Sequence, residues 1–240
     1  MNMEHDIANL LAQPVTRIVL KQNNSEIGHF FDTRVKSNLK IVTQNNCEKT
    51  IAAPIESEMQ KTSHDKVALT HFHNDENVFE IYRELKYLKH DILKAVNFVY
   101  QDVLNHTSNL VITNAWFNEC EVGGSQFAHN HSNSVISGTY YIRTDENTNI
   151  DFRNRYSTSN TTSTIVDEPS VKKENKFNYN YHSPIARLSV RSGDCLIWPS
   201  HLLHGYVNNE TPGRLSLSFN CIPETWNTLY KPYTVVENKS

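Results

Sequence analysis

The chain has 240 residues, 38% of them hydrophobic and 10% aromatic, which is enough for one sizeable core. Its 23 Lys and Arg stand against 26 Asp and Glu. No positive excess is left to neutralise a phosphate backbone or an anionic lipid surface, so neither nucleic acid nor a membrane is an expected partner. The cysteines, Cys47, Cys120, Cys195 and Cys221, are scattered with no CxxC pair, and they read as buried reduced thiols, not as a disulfide framework or a thiolate zinc site. Residues 1–11 include Glu4, His5 and Asp6 where a signal peptide needs basic and apolar residues. No later run reaches the ~18 to 20 apolar residues of a membrane span. A cytoplasmic protein is expected.

A single domain over 1–240 is the expected organisation, with an N-terminal region over 1–109, a core over 110–222 and a C-terminal tail over 223–240. Residues 1–70 alternate short apolar runs, such as Ile18-Val19-Leu20 and Leu39-Lys40-Ile41-Val42, with Asn-rich connections, and a few strands are expected there. Between 77 and 104, Val78, Ile81, Leu85, Leu88, Ile92, Val96, Val99 and Val103 recur at steps of three and four. That spacing predicts one face of an amphipathic helix buttressing a sheet, with Asn77 and Glu80 as a capping box. The pair His71 and His73 just before it reads as surface histidines.

From 110 onward the chain changes to short runs rich in β-branched and aromatic residues, at 111–117, 134–142, 150–152, 185–190, 195–198 and 215–219. With Gly, Pro, Asn and Ser turns between them and no intervening helical pattern, these predict a mostly β sandwich or jelly roll. The polar stretch 156–182 is too long for an ordinary connection, and reads either as disorder or as a lid over a pocket.

The chemistry concentrates in two segments. Gly123-Gly124-Ser125-Gln126-Phe127-Ala128-His129-Asn130-His131 places two imidazoles at i and i+2, on one face if the segment is a strand. Gly193-Asp194-Cys195-Leu196-Ile197-Trp198-Pro199 reads as a turn and an apolar strand, after which His204 enters the next loop, able to close a three-ligand set. Arg214 and Ser216 follow at alternate positions. A planar guanidinium fork with a hydroxyl on the same side is a compact carboxylate clamp. Three histidines with an inward Arg and Ser make a site for a metal and a dicarboxylate. His201 reads as structural, and Trp116 and Trp198 as core; Asn114 and Asn220 sit at strand positions open to either face.

At these residues the sequence resembles the iron- and 2-oxoglutarate-dependent oxygenase superfamily, in particular a bacterial and phage branch with His-x-His in place of the usual His-x-Asp. The resemblance covers residues 111–221. Its carriers are His129-Asn130-His131, the strand Ser137-Gly138-Thr139-Tyr140-Tyr141-Ile142, and the run from Gly193 through His204 to Arg214 and Ser216. It implies a double-stranded β-helix with a buttressing helix or helices from the N-terminal half. It also implies His129 and His204 as the two histidines of the metal triad, Arg214 with Ser216 on the distal carboxylate of 2-oxoglutarate, and Tyr141 helping to hold the same group. Fe(II), 2-oxoglutarate and dioxygen are then the expected reactants. The expected products are succinate, carbon dioxide and a small molecule, amino acid or peptide hydroxylated at an unactivated C–H bond, with no catalytic residue needed beyond the metal ligands.

His131 stands where the family pattern has a carboxylate. Three neutral imidazoles leave a ferrous ion at net charge plus two, where an Asp would leave plus one. Three-histidine ligation is the expectation; the alternative puts His131 beside the metal and leaves the third position to a bound anion. Two other classes share some of the pattern. A cupin explains His-x-His with a later His, but not the Arg214 and Ser216 clamp, and it wants glycine where His201 stands. A non-enzymatic zinc-binding module explains three histidines alone.

Overall fold

A computed structural model describes residues 14–36, 69–73, 76–153, 185–227 and 232–234. The strand expected at 39–42, Cys47 and the polar stretch 156–182 lie outside these residues.

Two antiparallel sheets form the body. The larger has strand order β1-β8-β5-β10-β3-β2 and the smaller β4-β9-β6-β7. The strands of the larger sheet are β1 (Thr16–Val19), β2 (Leu69–Phe72), β3 (Leu110–Cys120), β5 (Ile136–Arg143), β8 (Asp194–Pro199) and β10 (Arg214–Pro223). The smaller comprises β4 (Gln126–His129), β6 (Asn149–Arg153), β7 (Ile185–Ser189) and β9 (Leu203–Tyr206). From β3 to β10 the chain crosses repeatedly between the two sheets, which makes the fold a jelly roll, as the short-strand pattern predicts and as the double-stranded β-helix implied by the resemblance requires. A two-stranded ribbon, β11 (Thr225–Asn227) with β12 (Pro232–Thr234), follows.

The larger sheet is buried on both faces, and the alternation along β10 explains how. Leu215, Leu217, Phe219 and Cys221 point outward and are fully buried in the main apolar core. Arg214, Ser216, Ser218 and Asn220 point the other way, toward the smaller sheet. The neighbours repeat the division: Tyr140 and Ile142 of β5 and Cys195 and Ile197 of β8 join the main core, while Tyr141, Leu196 and Trp198 join a second cluster between the sheets. Apolar on one side and polar on the other is the period-two signature of a strand. Gly138 is required on β5, because a Cβ there would lie 2.3 Å from the Phe219 ring and 2.7 Å from the Leu196 carbonyl oxygen.

Helices cover the outer face. Helix α1 (Asn24–Phe30), capped by the Asn23 side chain on Glu26 N at 3.2 Å, runs on through a wider turn at Phe31–Val35. It buries Ile27, Phe31 and Val35, an i, i+4, i+8 stripe. Phe31 meets Phe72 and Phe117 with ring centroids 4.9 and 5.2 Å apart. The short apolar runs of this region suggest strands alone, and the stripe is the signal that identifies the helix.

The single helix expected over 77–104 is divided. α2 (Val78–Ile81) ends at Tyr82, whose backbone is extended at φ −119° and ψ 102°. A tight turn over Arg83–Leu85 restarts the chain into α3 (Lys86–Phe98), which leaves by a wide turn at Val99–Val103. The break seats the Tyr82 ring against Phe30, at 5.3 Å, and its hydroxyl on His73 Nε2, at 3.1 Å. No capping box forms: Asn77 accepts from Phe79 N at 3.1 Å, and Glu80 reaches Lys89 at 2.7 Å. Leu85, Leu88, Ile92, Val96 and Val99 are buried in the main core as the periodicity requires, whereas Ile81 and Val103 are exposed.

Candidate metal and cosubstrate site

Three imidazoles converge between the sheets. His129 ends β4 and His204 lies on β9, where the two are register partners despite an irregularity in the ladder after Gln126. His204 is thus a strand residue beside His129, not a loop residue as the sequence suggested. His131 follows β4 in a turn, held by its backbone N–H on the Ser200 carbonyl at 2.9 Å. Their ring centroids are separated by 4.5 Å for His129–His204 and 5.1 Å for each pair involving His131. One nitrogen from each ring lies within 4.8 Å of the others.

The hydrogen bonds set the tautomers. His129 Nδ1 donates to Phe127 O at 2.8 Å and His204 Nδ1 to Leu202 O at 2.9 Å, which leaves both Nε2 lone pairs free. A backbone carbonyl on the far nitrogen is the usual way of aiming a metal-binding imidazole. The His131 Nε2 is buried with no hydrogen-bond partner among the described residues. Burial pushes the proton affinity of all three down, His131 to about 4 and His204 to about 3, with repulsion from neighbouring imidazoles adding to the effect on those two. The rings are neutral donors at neutral pH. Asn220 beside His131 works against its downward shift.

Aromatic side chains wall this end of the cavity. Trp116 stacks on His131 at 5.8 Å and 24°, and the Trp198 ring lies 4.7 Å from that of His204. Both are buried, as expected of core residues, but they also line the cavity and fix the imidazoles.

At the other end lie Arg214, Ser216 and Tyr141. Ser216 is register partner of Tyr141 on β5 and of Asn118 on β3. Arg214 is 4% exposed, and among the described residues its guanidinium has no carboxylate in ion-pair range. It lies over the Tyr206 ring at 3.7 Å and 5.7 Å from the Tyr141 centroid. Burial pushes the Tyr141 phenol up to about 12, with the Arg214 charge acting against it, so the hydroxyl stays protonated. A buried cation without a counter-ion is costly unless an anion completes it.

Sequence reasoning missed four features here. Tyr206 supports Arg214, and its only sequence signal is its place two residues after His204. Thr139 and Ser218 add a hydroxyl pair. His71, expected at the surface, is 4% exposed on β2, with Nδ1 on the Asn118 side-chain oxygen. His73 is also packed, on Glu76 at 2.6 Å and Tyr82. The reason is that β2 pairs with β3, Thr70 to Phe72 opposite Glu119 to Phe117, which brings His71 behind the cavity wall. His201 is exposed in the turn between β8 and β9.

Residues 114–220 match the family model described as "Putative 2OG-Fe(II) oxygenase". Over this segment the chain is similar to that family. Among curated proteins no sequence matches. Solved structures share the fold at low identity. The non-heme alpha ketoglutarate dependent carbocyclase SnoK from nogalamycin biosynthesis is 10% identical, with a TM-score of 0.53 over 89% of this chain and 81% of the other. For the epimerase SnoN, also from nogalamycin biosynthesis, the identity is 10% and the TM-score 0.52, over 89% and 77% of the two chains. HygX from Streptomyces hygroscopicus with nickel and 2-oxoglutarate bound gives 11% and 0.50, over 88% and 83%. The description of the matched family names Fe(II) and 2-oxoglutarate as metal and cosubstrate. The residues present fit both: neutral imidazoles suit ferrous iron, the orphaned His131 nitrogen wants a partner, and the uncompensated guanidinium wants a carboxylate. Among the described residues, no helix is long and apolar enough to cross a membrane.

Proposed function

We propose that the chain is an Fe(II)- and 2-oxoglutarate-dependent hydroxylase in which His129, His131 and His204 hold the metal, and Arg214, Ser216 and Tyr141 hold the distal carboxylate of the cosubstrate. The observation that carries this reading is one cavity with three neutral imidazoles at one end and, at the other, a buried guanidinium that has no carboxylate partner among the described residues. A dicarboxylate keto acid is the ligand that satisfies both ends at once.

When bound, Fe(II) and 2-oxoglutarate supply the oxidising chemistry: dioxygen is consumed, the keto acid yields succinate and carbon dioxide, and one oxygen atom passes to an unactivated C–H bond of the substrate. The chain's own residues bind, orient and exclude water. His129 and His204 present fixed Nε2 lone pairs and His131 the third. Arg214 offers a bidentate fork, Ser216 and the protonated Tyr141 add hydroxyl donors, and Trp116 and Trp198 keep the imidazole end dry. No general base is needed from the protein. The working unit is 110–222, flanked by the strands and helices of 1–109, and the substrate is a small molecule, an amino acid or a peptide.

The inward Arg214 weighs against a cupin, which has no use for it. A zinc-binding module shares the three histidines but gives no turnover. The test is succinate release from 2-oxoglutarate in air by the Fe(II)-loaded protein, with loss in His204→Ala and Arg214→Ala. A substrate then gains the mass of one oxygen atom. Iron-loaded protein that forms no succinate across a panel of small molecules, amino acids and peptides overturns the proposal.

A further inference from the structure

The inward side of the larger sheet can be read as successive rows across β10, β3 and β5. After Arg214, opposite Cys120, comes a row of Ser216, Asn118 and Tyr141, then a row of Ser218, Trp116 and Thr139. Trp116 in that row is the ring stacked on His131. The rows therefore run from the guanidinium toward the imidazoles, and Ser218 with Thr139 lies at the imidazole end. Both hydroxyls line the same cavity as the three histidines.

The hydrogen bonds behind this row have a direction. His71 Nδ1 meets Asn118 Oδ1, which can only accept, so the imidazole donates. Asn118 Nδ2 must then face Ser218 Oγ, to which it donates at 2.8 Å. Ser218 Oγ and Thr139 Oγ1 are 3.0 Å apart. Of the two hydroxyl protons one closes that mutual bond and the other has no acceptor among the described residues. A proton is left over for whatever occupies the cavity. If the Asn118 amide turned over, Ser218 would donate to Oδ1 and Thr139 to Ser218, and no proton would remain.

We infer that His71 is a positioning residue which locks the Asn118 amide, so that the Ser218–Thr139 pair donates one hydrogen bond to the keto-acid end of bound 2-oxoglutarate. This rests on the cosubstrate reading above and adds a polar subsite opposite the Arg214 end. His71 is suited to it: it is buried, its ring is kept neutral by that burial, and its bond to Asn118 crosses from β2 to β3 in register.

The full-length protein is loaded anaerobically with Fe(II) and titrated with 2-oxoglutarate, reading both affinity and the weak visible absorption of the keto-acid chelate. Thr139→Val with Ser218→Ala is expected to weaken binding by about tenfold to a hundredfold, the loss of one charge-assisted hydrogen bond, and to move the absorption maximum at saturation. His71→Phe should move the maximum the same way, and His71→Gln, whose amide also donates, should restore it. Arg214→Ala should weaken binding and leave the maximum at saturation in place. Unchanged affinity and maximum in the double variant, beside a weakened Arg214→Ala, overturns the subsite and leaves the cosubstrate reading intact. A wild-type maximum in His71→Phe overturns the role of His71. If wild type gives no absorption, or Arg214→Ala binds as wild type does, the cosubstrate reading itself fails. Should the double variant not melt cooperatively, the pair His71→Phe and His71→Gln decides by the same readouts.

Discussion

His129 and His204 are register partners across β4 and β9, and each turns Nδ1 onto the carbonyl oxygen two residues before it, Phe127 and Leu202, at 2.8 and 2.9 Å. The same local device is used on both strands, and it aims both Nε2 atoms at one point beside His131. Replacing either by Ala should abolish iron binding, with the fold preserved because neither ring belongs to the main core. Metal content per chain after dialysis checks this, and unchanged stoichiometry in either variant contradicts the assignment.

Gly205 keeps those two strands close. A Cβ there would stand 2.4 Å from the Gln126 carbonyl oxygen and 2.9 Å from the Phe127 backbone, so Gly205→Ala must push β4 from β9 and separate His129 from His204. Overpacking of this kind costs roughly 1 to 3 kcal/mol. The expected outcome is a lowered melting temperature together with a larger loss of metal affinity than of stability, read by melting and metal titration on the same sample.

Tyr206 underlies the Arg214 guanidinium at 3.7 Å. A desolvated cation–π contact is worth about 0.5 to 2 kcal/mol, so Tyr206→Leu should weaken 2-oxoglutarate by about two- to thirtyfold while leaving iron affinity unchanged. Tyr206→Phe should retain most of the binding. Equal affinities for Tyr206→Leu and wild type would remove Tyr206 from the site.

The strands after 110 were legible because their apolar alternation is local, and so were the three histidines and the Arg214–Ser216 pair, which carry a family pattern. The partners of those residues were not. Tyr206 meets Arg214, and His71 meets Asn118, only through pairings across strands distant in sequence, and no periodicity encodes which strand lies beside which. The break at Tyr82 was hidden for the same reason: the apolar stripe continues across it at helical spacing, and only the packing of the Tyr82 ring on Phe30 and His73 interrupts the backbone. Helix α1 was legible in principle, through Ile27, Phe31 and Val35, but lay inside a stretch dominated by short apolar runs.

Burial holds the proton affinities of His129, His131 and His204 below the ordinary histidine value, with His131 near 4 and His204 near 3. In the unfolded chain these rings take up protons near pH 6.5. Between about pH 6.5 and 3 the unfolded state therefore binds more protons than the folded state, and the metal-free protein should lose stability as pH falls through that window. Above it these groups contribute no pH dependence. Metal affinity should stay nearly flat down through pH 6, since the ligands are already neutral. Denaturant melts and metal titrations across pH 4 to 8 check both, and an affinity falling steeply between pH 7 and 6 would contradict the buried, neutral donor set.

The central claim is that one cavity joins a three-imidazole metal site to a carboxylate clamp at Arg214, and the most direct test is anaerobic titration of the Fe(II)-loaded protein with 2-oxoglutarate, followed by visible absorption. Wild type should develop the weak band of a chelated keto acid and saturate at one equivalent. Arg214→Ala should need about two to four powers of ten more cosubstrate, because a charge-assisted bidentate pair is lost, and Arg214→Lys should recover only a fraction of it, because an ammonium has no fork. Equal titrations for wild type and Arg214→Ala, or no band at all in wild type, would contradict it.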